Sequence, residues 1–313
     1  MQSQAQAVVF QNPQHLMMQA LELPEPGVGE VEVQVEYSGI STGTERLLWD
    51  GTMPAFPGMG YPLVPGYESV GRVVRAGPQT TLNAGDRIFV PGAQCFQGVR
   101  NLFGGSASRL VVPEARTVQV QESLGERAVL MALAATAQHA LAGSTPPDLI
   151  IGHGVMGRLL ARLTVAAGHP APTVWELNAA RQSGATGYAV ISPDDDPRRD
   201  YRAIYDVSGD STILDKAIAR QAPGGEVVLA GFYKQSLSFA FAPAFMRETR
   251  IRVAAQWKRD DLLAVTGLAH CGTLSLDGLI THTEAPAHAP DAYRVAFADS
   301  LCLKMILDWS HTA

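Results

Sequence analysis

The sequence predicts an α/β protein in two parts: a β-rich region drawn from both ends of the chain, and a doubly wound parallel sheet in the middle. Three observations predict it. A chain of 313 residues is comfortable as two domains, at roughly 100–200 residues each. Up to Val120 the apolar pattern is mostly of period two, broken by glycine and proline, and from about Glu126 strand-like and helical segments alternate. A GxGxxG run then sits between an apolar strand and an amphipathic helix. The expected domains are 1–128 with 259–313, and 129–258.

In order along the chain, "VEVQVEYSGI" alternates apolar and polar residues from Val31, "VGRVVRAG" reads as a short strand and turn, and "GDRIFVPG" as another. "RAVLMALAATAQHAL" reads as a buried helix and "DLIIG" as a short apolar strand. "RLLARLTVAAG" places Leu159, Leu160, Leu163, Ala166 and Ala167 on one helical face. "PTVWEL", "AIYDVSG" and "GGEVVLAGF" follow as strands, and the chain returns after "IRVAAQW" to a mixed segment ending in "LKMILDW". Strands separated by helices imply βαβ units and a parallel sheet.

Composition excludes several classes. Hydrophobic residues are 46% and charged residues 17%, enough apolar material for packed cores. The net charge of −6 argues against nucleic acid as a partner. No apolar run reaches the roughly 18 residues that span a bilayer, and "MQSQAQAVVF" lacks the pattern of a secretory signal. Cys95, Cys271 and Cys302 are scattered without CxxC spacing, which fits a reducing cytoplasm.

"LIIGHGVMGRLL" carries Gly152-His153-Gly154-Val155-Met156-Gly157 in the strand–turn–helix context that a dinucleotide-binding Rossmann fingerprint requires. Gly152 permits the tight turn, Gly154 the approach of a pyrophosphate, and Gly157 close packing of helix on strand, while the helix N-terminus offers free N–H groups to phosphate. Glu176, at the end of "TVWEL", stands where an acidic residue accepts hydrogen bonds from the adenosine ribose. Its charge would repel a 2′-phosphate, so NAD is expected over NADP, with Arg181 the competing feature. For His153 two readings stay open, contact with the pyrophosphate or a variable filling position. Val207, Ser208, Gly231 and Phe232, in "DVSG" and "AGFY", end later strands on the same edge and are expected near the nicotinamide.

"SGISTGTE", "VPGYESVGRVV", "GDRIFVPG", "GGSASRLVVPE", "ALAATAQHAL", the GxGxxG unit, "PGGEVVLAGF" and "LSLDGLITH" together resemble the medium-chain dehydrogenase/reductase family over essentially the whole chain. The resemblance implies a GroES-like catalytic domain from both chain ends with an inserted Rossmann domain, and adds Thr136 to the expected cofactor contacts. It also implies frequent dimerisation through the edge of the cofactor sheet. Zinc members of the family carry a cysteine at the place of Ser41, a histidine at that of Tyr67, and a cysteine or carboxylate near Ala132; only Glu68 remains here. Hydroxyls are poor zinc ligands at neutral pH, and Cys95 alone stands where a structural zinc would need four cysteines, so no metal is expected.

Longer stretches, among them "GISTGTERLLWDGTMPAFPGMGYPLVPGYESVGRVV" and "PRRDYRAIYDVSG", resemble a branch of the family that acts on chlorophyll-type tetrapyrroles. That branch oxidises a hydroxyethyl side chain to an acetyl group. The implied partner is thus a tetrapyrrole, an apolar small molecule compatible with a peripheral position at a membrane, although no lipid-binding helix is evident.

Without a metal, alcohol oxidation needs a base and hydrogen-bond donors around the oxygen. Ser41, Thr42, Thr44, Tyr67 and Glu68 are the candidates, with a Tyr67–Glu68 relay as the working expectation. Glu68 as part of a local hydrogen-bond network and Tyr67 as a filler of the vacated metal cavity are the competing readings. Glu45, Arg46, Trp49, Phe56 and Tyr61 are candidates for lining a flat apolar ligand, and His139 for facing the cofactor, binding the pigment or sitting satisfied in the core. Rival functions are a zinc-independent NADPH quinone or enone reductase, and a non-catalytic nucleotide-binding regulator or pigment carrier.

Overall fold

The computed structural model describes residues 3–54 and 57–312. The chain divides into two units, Met1–Ala132 with Asp277–Ala313, and Leu133–Leu276. The second break lies beyond the expected 258/259, because helix Arg259–His270 groups with the second unit, burying Leu262, Val265 and Ala269.

The first unit is β-rich. Its organising strand, Glu30–Ile40, pairs antiparallel with Ser69–Ala76 and with Arg109–Pro113. It also pairs antiparallel with Met305–Asp308, so the chain's last strand is built into a sheet begun near residue 30. Val31, Val33 and Val35 alternate inward, as "VEVQVEYSGI" predicts, and are essentially fully buried. A second sheet is begun by the hairpin of Ser3–Asn12 and His15–Leu23, joined by the short strand Leu63–Val64. Phe10, Ile40, Leu63, Tyr293 and Trp309 anchor the core between these elements.

The second unit holds, among the described residues, a six-stranded parallel sheet. Leu149–Ile151 lies between Thr173–Trp175 on one side and Tyr201–Asp206 on the other, so the strand order reverses at this pair. In open parallel sheets the crevice beyond the carboxyl ends at such a reversal is where ligands bind. The helix Val155–Ala166 buries Leu159, Leu160 and Leu163 as expected. Ala166 and Ala167 are at its freer end and stay partly exposed, and Val155, Ala161 and Thr164 complete the buried face.

The expected combination of a β-rich domain from both chain ends with a Rossmann-type parallel sheet is the architecture found. No helix among the described residues is long and apolar enough to cross a membrane.

Candidate active site

In the second unit several of the expected cofactor residues lie close together. Gly152 turns the chain at φ 104°, a backbone state that favours glycine. A Cβ on Gly157 would lie 1.9 Å from the Gly152 carbonyl oxygen, so only glycine lets the helix sit this close to the strand end. A Cβ on Gly154 would meet nothing within 4 Å, which leaves its backbone open to a ligand at the helix N-terminus. Val155 and Met156 open that helix. The loop after Tyr201–Asp206 comes close, with the Ser208 Cα 3.3 Å from a Cβ built on Gly152, and Gly231 is likewise near the Val207 Cα. Phe232 is about half exposed and Thr136 is partly exposed on the helix Met131–Leu141.

Glu176 joins this group through the backbone. Its Oε2 accepts from the His153 N–H at 3.1 Å and its Oε1 from the Asn178 N–H at 2.8 Å. The His153 side chain does not face a ligand. It is fully buried, with Nδ1 2.7 Å from the Arg181 carbonyl oxygen and Nε2 2.9 Å from the Tyr188 hydroxyl. Burial lowers its pKa to about 4, so the ring is neutral at physiological pH. Of the two readings of His153, its ring follows the filling one. Arg158, absent from the sequence expectations, is a further organiser. Its guanidinium donates to the carbonyls of His153, Arg181, Ser183 and Gly184 and so fastens the loop after Glu176 to the glycine loop.

In the first unit the Ser41 Oγ and the Tyr67 hydroxyl are 2.6 Å apart. Ser41 is almost fully buried, Tyr67 keeps some exposed surface, and Phe103 packs edge-on against the Tyr67 ring. The Thr44 N–H donates to Ser41 Oγ at 3.4 Å, so the first turn of the helix Thr44–Asp50 starts on the same hydroxyl. Thr42 is exposed. Burial first, and the charge of Glu68 second, push the Tyr67 phenol well above its ordinary pKa, so it holds its proton at neutral pH.

Glu68 is fully buried, and its carboxylate turns to Lys304. The Lys304 Nζ donates to Glu68 Oε2 at 2.7 Å and to the Ile40 carbonyl at 3.1 Å, while Glu68 Oε1 has no hydrogen-bond partner among the described residues. The carboxylate that was expected to polarise the Tyr67 phenol directly is instead held by an ammonium from the far end of the chain. Gly39 makes the fit possible, since a Cβ there would lie 2.3 Å from Glu68 Oε2.

The expected ligand-lining residues scatter. Glu45 is fully buried, its oxygens accepting from the Ser41 N–H at 3.2 Å and the Tyr293 hydroxyl at 2.7 Å, so it presents no surface to a ligand. Trp49 packs among Phe10, Tyr293 and Phe297. The Tyr61 hydroxyl donates to the Leu48 carbonyl. Arg46 is half exposed and pairs with Asp50 at 3.7 Å. His139 belongs to the second unit, its Nδ1 2.8 Å from Asp261 Oδ2. Phe56 lies outside the described residues.

Sequence reading missed Lys304 and Tyr293, which lie 236 and 248 residues from the partners they hold. One signal was available for Lys304: a lone lysine beside the apolar run "MIL" of the terminal strand. The donor set at this corner does not fit zinc. Two of its members are hydroxyls bonded to each other, and the carboxylate is already paired with an ammonium. Among the described residues no group of three or more His, Cys, Asp or Glu side chains could hold a metal ion.

Residues 27–122 match the alcohol dehydrogenase GroES-like domain. The chain is 55% identical to the 2-desacetyl-2-hydroxyethyl bacteriochlorophyllide A dehydrogenase of Rhodobacter capsulatus, over 98% of both chains. It belongs to the bacteriochlorophyllide dehydrogenases of the medium-chain dehydrogenase/reductase family. It is 53% identical to the protein of the same name from Cereibacter sphaeroides, over 98% of this chain and 99% of that one. The fold also matches the crystal structure of a short chain alcohol dehydrogenase from Escherichia coli complexed with the cofactor NADH. The TM-score is 0.83 at 21% identity, with 98% of this chain and 99% of that one covered.

Proposed function

We propose that this protein oxidises the hydroxyethyl side chain of a bacteriochlorophyllide to an acetyl group, with NAD as acceptor and without zinc. The observation that carries the substrate is the identity of more than half over nearly full length to two bacteriochlorophyllide dehydrogenases. The glycine cradle at 152–157 suits a dinucleotide, and the nicotinamide, when bound, accepts a hydride. Thr136, Val207, Ser208, Gly231 and Phe232 complete the proposed cofactor site. Glu176 supports NAD, because its carboxylate is fixed by the His153 and Asn178 N–H groups at the end of its strand and would repel a 2′-phosphate.

The reaction removes a hydride from the carbinol carbon and a proton from its oxygen. With Tyr67 donating to Ser41 Oγ, the phenol oxygen keeps a lone pair that accepts the alcohol O–H and orients it. Tyr67 keeps its own proton throughout, as its raised pKa requires. A carbinol carbon attached to a conjugated macrocycle spreads the positive charge that develops as hydride leaves. The protonated ketone that results is strongly acidic and gives its proton to water, so neither an alkoxide nor a metal to stabilise one is needed. The buried Glu68 next to Tyr67 is neutralised by Lys304, so the pair adds no net charge at this corner. A cytoplasmic homodimer fits the same reading; among the described residues strand Arg250–Val253 is paired on one side only, which leaves an edge for a second copy.

The test is to incubate pure protein with hydroxyethyl bacteriochlorophyllide and NAD or NADP. A red shift of the pigment band, matched mole for mole by reduced nicotinamide and faster with NAD, is expected. The zinc-free assignment fails if metal analysis finds stoichiometric zinc whose removal abolishes turnover. Comparable rates on simple unconjugated secondary alcohols would undermine the conjugation argument.

A further inference from the structure

Glu45 and Tyr293 stand outside the proposed chemistry, yet both are completely buried and both point at it. Glu45 lies in the first turn of the helix Thr44–Asp50, and Tyr293 on the helix Ala289–Ala298. One carboxyl oxygen of Glu45 takes the Ser41 N–H and the other takes the Tyr293 hydroxyl. The Glu45 N–H donates to the Ser41 carbonyl at 3.1 Å. Ser41 is therefore tied at its N–H and C=O by Glu45 and at its hydroxyl by Thr44 and Tyr67.

The exchange between Ser41 and Glu45 resembles a capping box with the acid one residue late. A cap needs nothing beyond the helix's own turn. Here the carboxyl spans from the loop to a phenol that belongs to the chain's last fifty residues. That phenol is immobilised by Phe10 edge-on at 5.2 Å, by Trp49 stacked at 27°, and by Phe297 edge-on at 5.7 Å. The core thus reaches through Tyr293 and Glu45 to Ser41, and through Ser41 to the Tyr67 hydroxyl.

We infer that Glu45 and Tyr293 form a buried strut that positions Ser41, and through it Tyr67, against the alcohol oxygen. The inference rests on the proposed role of the Ser41–Tyr67 pair. Neither strut residue touches substrate; both are positioning residues. Burial pushes Glu45 up to about 8, against the hydrogen bond from Tyr293 and the charge of Lys304, and the nearby Glu68 carboxylate adds to the rise. At neutral pH the strut is uncharged and places no second negative charge beside Glu68.

The experiment measures kcat, pigment KM and dinucleotide Kd for Tyr293→Phe, Glu45→Ala, Glu45→Gln and Tyr67→Phe. Tyr293→Phe keeps the ring packing and removes one hydrogen bond. It is expected to lower kcat about tenfold or more, with pigment KM and dinucleotide Kd within about twofold. Glu45→Ala should lower kcat at least as far, whereas Glu45→Gln, which can bond both partners, should restore it to within about threefold of wild type. Tyr293→Phe turning over at the wild-type rate would overturn the strut. So would a loss of kcat that equals the loss of dinucleotide-binding sites, since misfolding then explains it. If Tyr67→Phe is slow while Tyr293→Phe is not, the strut alone fails. If Tyr67→Phe is as fast as wild type, the reading of the pair fails and the strut with it.

Discussion

Replacing Glu45 by glutamine should remove a fall in stability that the wild-type protein undergoes as pH rises. The side chain is fully buried, and that burial raises its pKa from 4.5 to about 8. In the unfolded chain the same carboxyl ionises near its ordinary value. Between those two limits the unfolded chain has released the proton and the folded one has kept it, so the folded state binds more protons and loses stability as pH rises. The contribution is fully present below 4.5 and gone above about 8. Each pH unit in that window is worth about 1.4 kcal/mol, which makes about 5 kcal/mol across it.

Glutamine keeps an acceptor for the Ser41 N–H and can hydrogen-bond the Tyr293 hydroxyl, but it has no proton to lose. The assay is denaturant unfolding of wild type and Glu45→Gln at steps between about pH 5 and 8, read as the difference between the two curves. The difference matters because His153 works in the opposite direction. Its lowered pKa means that stability is lost as pH falls from its ordinary 6.5 toward about 4, and this cancels on subtraction. The variant should gain steadily on wild type toward alkaline pH. Two parallel curves would show that Glu45 is ionised in the folded protein and refute the reasoning.

Other substitutions separate the parts of the site. Lys304→Met leaves Glu68 as an unpaired buried carboxylate and should destabilise by about 3–5 kcal/mol in thermal or denaturant unfolding, while Lys304→Met with Glu68→Gln recovers most of the loss. Gly154→Ala adds a methyl into open space, so its melting temperature should stay near wild type while dinucleotide binding, followed by titration, weakens about tenfold or more. Gly157→Ala drives a Cβ against the Gly152 carbonyl, and both melting temperature and binding should drop. Glu176→Ala should cut the preference for NAD over NADP at least tenfold in kcat/KM.

The parts of the site legible in the sequence are those built from neighbours in the chain. The fingerprint at 152–157 could be read because a strand, a turn and a helix N-terminus follow one another within a dozen residues, and each glycine answers a local steric demand. Glu176 was legible for the same reason: it ends the next strand of the same βαβ unit. Ser41 and Tyr67 were recognisable as a pair only through a family whose members carry metal ligands at those positions. What the sequence misassigned were polar side chains whose partners come from far away. Glu45 follows a stretch rich in hydroxyls and reads as a ligand-facing acid, yet a tyrosine 248 residues later holds it in the core. Nothing local in "APDAYRVAFAD" marks Tyr293 as more than one apolar face of a helix.

That pattern has a physical cause which also bears on how the corner works. A buried carboxylate costs several kcal/mol unless it is paired or protonated. Glu45 and Glu68 place two such groups around one short stretch of chain, with one ammonium, Lys304, hydrogen-bonded to one of them. The cheapest state keeps Glu68 ionised on Lys304 and Glu45 protonated, so the cluster carries no net charge. Lys304, which makes this state possible, and Tyr293, which holds the Glu45 carboxyl, both lie in the segment that returns after the parallel sheet to pair Met305–Asp308 with Tyr37–Ile40. Until that strand is in place, the loop at 41–45 and the corner at 67–68 hold two uncompensated acids and cannot both be buried. The hydroxyl pair therefore gains its fixed geometry only when the chain end docks, which couples completion of the first unit's fold to assembly of the site.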